Sequence, residues 1–138
     1  MSKTNAFDYD GQVRAIRAAN QPLLDAFEIW LEQASLSQKT IKTHVSNISF
    51  FTNYLVYYEP LRKHDEATES DVWMFLADWF PRKALWASVT SVKPYLASFK
   101  KFFLWMGETG HASPQVVADV IETLKVERGV LLRNIAEQ

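Results

Sequence analysis

The 138-residue sequence has no cysteine, four glycines and five prolines. Without cysteine there are no disulfides, thiolate zinc centres or cysteine nucleophiles, as suits a reducing compartment. So little glycine and proline excludes a collagenous or low-complexity chain. No uncharged apolar run approaches the roughly 18 residues that cross a bilayer, and the N-terminal stretch lacks the basic-then-apolar order of a secretory leader. The expectation is a cytoplasmic protein with no membrane partner. An excess of one charge is also missing, because the formal net charge is −1, so composition alone gives no electrostatic footprint of a nucleic-acid binder.

What is present is apolar and aromatic. Hydrophobic residues make up 48% of the chain and aromatics 14%, enough for one domain with a packed core. Charge is unevenly spread: residues 37–101 carry nine Lys/Arg against six acids, while 1–36 and 102–138 each carry three against five.

The most ordered pattern runs from Ser37 to Tyr58, where Ile41, Val45, Ile48, Phe51 and Leu55 recur at helical spacing. Opposite that stripe lie Lys39, Lys42, Thr43, Ser46, Asn47 and Asn53, with no acid among them. Ser37 is the expected cap and Pro60 the stop. Upstream, Met1–Gly11 shows no sustained period and is expected to fray. A first helix is expected to start near Pro22, with Leu24, Phe27, Ile29, Trp30 and Leu31 as its broad apolar face and an extra turn or two over Val13–Ala19. Downstream, Thr68-Glu-Ser-Asp71 matches a capping-box start to a short third helix stopped by Pro81. A fourth helix spans Ser88 or Thr90 to Met106 with Pro94 in its first turn or bending it there, and a last one starts at Ser113-Pro114. No stretch alternates like a strand. The fold expectation is all-α, a compact bundle of four to five helices, with residues 1–19 as an N-terminal extension, 20–112 as the core and 113–138 as a C-terminal helix or linker.

Thr40-Ile-Lys-Thr-His-Val-Ser-Asn-Ile aligns with Ser91-Val-Lys-Pro-Tyr-Leu-Ala-Ser-Phe at an offset of 51 residues. Ser49-Phe-Phe-Thr-Asn-Tyr-Leu55 then aligns with Lys100-Lys-Phe-Phe-Leu-Trp-Met106. Lys42 matches Lys93, whereas Phe50 stands where the second copy has Lys101. Two long helices therefore present related faces.

These residues resemble the N-terminal core-binding (SAM-like) domain of tyrosine recombinases, the phage integrase family. The resemblance rests on the apolar Leu24-Phe27-Trp30-Leu31 set, Ser37-x-x-Thr40-Ile41 to Phe51, Thr68 to Phe75, and Ser88 to Gly107, and covers roughly residues 20–112. It implies duplex DNA as the partner, met by the polar faces of the two echoed helices through Lys39, Lys42, Thr43, Ser46, Asn47, Lys93, Ser98, Lys100 and Lys101. Lysines and hydroxyls suit phosphates, and asparagine suits an adenine edge. It also implies a homo-oligomer on DNA and a catalytic domain in the same parent chain.

The family's catalytic set departs here. His44, His64 and His111 are followed three residues later by Asn47, Ala67 and Pro114, so no His-x-x-Arg exists. Tyr54, Tyr57, Tyr58 and Tyr95 read as packing groups. The chain is then either part of a longer recombinase or a stand-alone relative, non-catalytic on its own, with no cofactor and no metal. The carboxylate pairs Asp65-Glu66 and Glu69-Asp71 flank a helix start, where capping explains them, and His64 with Asp65 and Glu66 makes a poor metal cage. Arg82 and Lys83 are expected in a loop, and Trp86 as an exposed anchor. The alternative is a helical protein-interaction or oligomerisation module that does not bind DNA.

Overall fold

The computed structural model describes residues 2–83, 89–126 and 128–129. Every regular element among them is helical: α1 (Ser2–Gln33), α2 (Gln38–Leu55), a 3-10 turn (His64–Glu66), α3 (Glu69–Met74), a π turn (Phe75–Trp79), α4 (Phe80–Lys83), α5 (Val89–Glu108) and α6 (Pro114–Val126). This is the all-α bundle that the periodicities predict. The expected Trp86 anchor and the segment Val130–Gln138 lie outside the described residues.

α1 is much longer than expected, continuing on the N-terminal side of Pro22 as an unbroken helix. Its seam runs through buried Asn20, Leu23, Leu24, Phe27 and Leu31, so one polar residue hides the apolar period that would have extended the helix upstream, while Ile29, expected on the apolar face, lies two residues from both Phe27 and Leu31 and is 55% exposed. Two contacts tie this first half down. Tyr9 donates its hydroxyl to the Val56 carbonyl at 2.8 Å, and Arg17 Nη2 donates to Asn53 Oδ1 at 2.9 Å. An interior proline costs a backbone hydrogen bond and about 3 kcal/mol, which the packing on both sides of Pro22 offsets.

α2 starts where its cap predicts. Ser37 Oγ accepts the Thr40 N–H at 3.2 Å, which satisfies one of the otherwise unpaired donors of the first turn. Ile41, Ile48, Phe51 and Leu55 of its stripe are fully buried, and the helix ends at Leu55, just short of the expected Tyr58. Its buried arc is wider than the stripe, because His44, Asn47, Thr52 and Tyr54 also face inward.

Pro81 does not stop the third helix. The chain widens through the π turn, where the Phe80 N–H reaches back to the Phe75 carbonyl, and continues as α4 with Pro81 at its second position, where a missing N–H costs least. The extra residue turns Phe75, Leu76, Trp79 and Phe80 all into the core. The start follows the box, with Asp71 Oδ2 accepting the Thr68 N–H at 3.1 Å. The other Asp71 oxygen takes Arg62 Nη2 at 2.6 Å, pinning the 60–62 loop to α3.

Phe51 is central to an aromatic core, edge-on to Phe99 at 4.8 Å and to Phe75 at 5.3 Å between ring centroids. Phe27 meets Phe102 in the same way at 5.0 Å. Such edge-to-face pairs add to plain burial because the positive ring edge meets the negative face. α5 lies against α2 on one side and α6 on the other, and Val120 and Leu124 of α6 are buried. No helix among the described residues is long and apolar enough to cross a membrane.

Candidate functional site

Because Ser37 fixes where α2 begins, Lys39, Lys42, Thr43 and Ser46 fall at i, i+3, i+4 and i+7 and share one outward strip. All four are exposed, and together with Gln38 and the edge of Asn47 they line a shallow depression. Over its 18 residues α2 carries no acid, so nothing on the helix neutralises these lysines. The Thr43 hydroxyl donates to the Lys39 carbonyl at 3.0 Å, which spends its hydrogen on the helix.

Two of the nine predicted contact residues are buried. Ser98 is 0% exposed and Asn47 9%, because α2 and α5 cross there. Asn47 Nδ2 donates to Ser98 Oγ at 3.0 Å, and His44 Nδ1 lies 2.7 Å from the same oxygen. Ser98 therefore cannot reach a phosphate, and the Asn47 amide expected to read a base edge is engaged inside the protein. Their polarity serves the crossing, where an unpaired buried group would be costly. Burial first, and the charge of Lys101 second, lower the His44 pKa and favour the neutral ring.

On α5, Lys93 and Lys100 are exposed and Lys101 is half-buried. Lys101 turns toward α2, where His44 feels its charge. Lys93 and Lys100 instead edge a furrow between α5 and α6, shared with Leu96, Ala97, Ile121, Leu124, Lys125 and Arg128. Lys125 and Arg128 escaped the sequence reading, which averaged them into an acidic C-terminal third. Their spacing with Ile121 and Leu124, again i, i+3, i+4 and i+7, is the signal that could have found them. Phe50, the position matching Lys101, packs against Phe75, Trp79, Phe80 and Tyr95. The two echoed helices thus diverge where one turns inward and the other stays basic.

The remaining chemistry is structural. His64 is fully buried, with Nε2 2.7 Å from Thr52 Oγ1 and its backbone N–H donating to Asn20 Oδ1 at 3.0 Å, while Glu66 accepts the Lys63 N–H at 2.8 Å. His64, Asp65 and Glu66 do not converge, and among the described residues no group of three or more His, Asp or Glu could hold a metal ion. Burial pushes the Tyr95 hydroxyl up to about 12 and, with the Asp71 carboxylate as second cause, raises that of Tyr54, the opposite of nucleophile activation. Arg82 lies on α4 rather than in a loop and grips Asp78 through Nη2 at 2.8 Å and Nε at 3.2 Å. No protein-family model, curated protein or solved structure matches this chain.

Proposed function

We propose that this chain is a duplex-DNA-binding helical domain of the tyrosine-recombinase core-binding type, contributing phosphate contacts and no chemistry of its own. One observation carries the reading: the exposed faces of the two helices that cross at Asn47 and Ser98 present Lys39, Lys42, Lys93 and Lys100 without an acid, the first acid on either helix being Glu108 at the end of α5. In a protein of net charge −1 the acids lie elsewhere, with Asp25 and Glu32 exposed on α1. An acid-free strip of lysines and hydroxyls on neighbouring helices suits a polyanion, whose condensed counterions are released on binding. Sequence tolerance follows, because phosphate contacts position a duplex without reading it.

The test is duplex affinity as a function of salt. The wild type should weaken as salt rises, with log K falling against log salt by about 0.9 for each phosphate neutralised. Lys42→Glu with Lys93→Glu should flatten that slope and lower affinity for all sequences alike. An unchanged slope would remove the DNA assignment.

A second reading, a protein-interaction module, draws on Trp73 and Met74, adjacent on α3 and 38% and 37% exposed. With Glu69, Ser70 and Thr123 they line a shallow depression beside α6. Large exposed apolar side chains of this kind anchor protein interfaces. Trp73→Ala should abolish self-association under that reading and leave DNA affinity unchanged under the first.

A further inference from the structure

We propose that the DNA-contacting surface continues onto the C-terminal end of α6, where Lys125 and, past the end of that helix, Arg128 hold a second stretch of phosphate backbone. This rests on the DNA-binding reading and extends it to residues that neither the internal echo nor the family resemblance includes. The α5–α6 furrow is built from two matched sets, 93, 96, 97 and 100 on α5, and 121, 124 and 125 on α6 with 128 past its end. Both have the i, i+3, i+4, i+7 spacing of a single helix face. Four cations thus share one furrow, and among the described residues no acid lines it and none of the four has an ion-pair partner. Among the described residues of α6, Glu122 is the nearest acid, and it is exposed but does not line the furrow. Like charges gathered this way repel one another and are relieved when an anion binds between them.

Leu96 and Leu124 are only 4% and 7% exposed, closed against the core, whereas Ile121 is half-buried and Ala97 exposed. The furrow's preference for an anion therefore rests on the cations along its edges. It offers charge, as a phosphate chain requires. Its position fits as well, because α2 and α6 both pack on α5, the helix that carries Lys93 and Lys100.

The experiment titrates a 20-base-pair duplex with the full chain at several salt concentrations, comparing wild type, Lys125→Gln/Arg128→Gln and Lys39→Gln/Lys42→Gln. The α6 pair should flatten the slope by about 1.8, and lower affinity at 0.1 M salt on the order of tens of fold, by the counterion-release relation. Its melting temperature should not fall, since the side chains are exposed, and Lys125→Arg should retain the wild-type slope. If the α6 pair keeps the wild-type slope while the α2 pair loses it, the extension onto α6 is wrong and the DNA reading stands. If wild type shows no salt-dependent duplex binding, both fall together. If the α6 pair abolishes self-association in sedimentation while leaving the slope intact, the furrow takes an acidic protein face and the proposal is overturned.

Discussion

Asn47 donates its side-chain amide to Ser98 Oγ at 3.0 Å, and the two residues stand 51 apart, the offset at which the sequences of α2 and α5 align. Equivalent positions of the internal echo therefore meet each other where the helices cross. His44 joins them through the same oxygen at 2.7 Å. Ser98→Ala removes the oxygen that serves both partners and leaves two buried polar groups unpaired. The expected loss is about 1–3 kcal/mol, read by urea unfolding. Lys42→Glu, on the exposed face, should move stability by less than about 0.5 kcal/mol. A Ser98→Ala protein as stable as wild type would show that the crossing does not depend on this polar cluster.

His64 sets a pH limit on the fold. Its ring lies flat over Phe51, with an interplanar angle of 2°, and edge-on to Phe102. Burial holds its pKa down to about 4, with the Arg17 charge pushing the same way and the Ile48 carbonyl opposing. A depressed histidine pKa means that the unfolded chain binds the proton more readily than the folded one. Stability is therefore complete above the unfolded value of 6.5 and is lost progressively as pH falls toward 4. The shift corresponds to about 3 kcal/mol, and His44, also lowered, adds in the same direction. Unfolding free energy measured between pH 7 and pH 4 should fall steeply in wild type and less in His64→Gln. Equal slopes in the two proteins would remove His64 as the cause.

Much of this architecture is legible from apolar spacing. Ile41, Ile48, Phe51 and Leu55 mark the buried side of α2, and Ser37, Thr68 and Ser113 mark helix starts, the last accepting the Val116 N–H at 3.1 Å. What escapes the pattern are polar residues used as core. Asn20 hides the first half of α1, and Asn47 and Ser98 look like contact residues although they face each other. Proline misleads for a related reason: its local cost is real, but packing at Pro22 and the π turn before Pro81 absorb it. The lysines of α2 are readable because one strip holds them. Lys125 and Arg128 carry a helical spacing with Ile121 and Leu124, but their company with Lys93 and Lys100 emerges only when two helices are brought side by side, which no single-helix period reports.

Ser35 ends α1 with a left-handed backbone, φ 63°, beyond the last turn. This region costs a residue with a Cβ roughly 1–2 kcal/mol, whereas glycine enters it freely. Ser35→Gly should therefore raise stability by about 0.5–1 kcal/mol after its larger unfolded-state entropy is counted. Ser35→Val should lower it, since a β-branched residue tolerates positive φ worst. Thermal unfolding of the pair gives both signs, and a loss on going to glycine would show that the serine side chain contributes more than its backbone costs.

Gly107 links this packing to the proposed interface. A Cβ built on it would stand 2.8 Å from Val117 Cγ2, so α5 and α6 approach here at a distance only glycine allows. Valine is stiff at χ1 and cannot swing away freely, so Gly107→Ala must push α6 outward or displace Val117, at about 1–3 kcal/mol. The same displacement would move Lys125 and Arg128 relative to Lys93 and Lys100, whose furrow lies along the same pair of helices. Gly107→Ala should thus weaken duplex binding without touching any charge, and Val117→Ala added to it should recover both stability and affinity. The double-mutant cycle isolates the contact: recovery of stability without recovery of affinity would mean that the spacing of α5 and α6 does not govern DNA contact, and recovery of neither would place the Gly107 constraint elsewhere than at Val117.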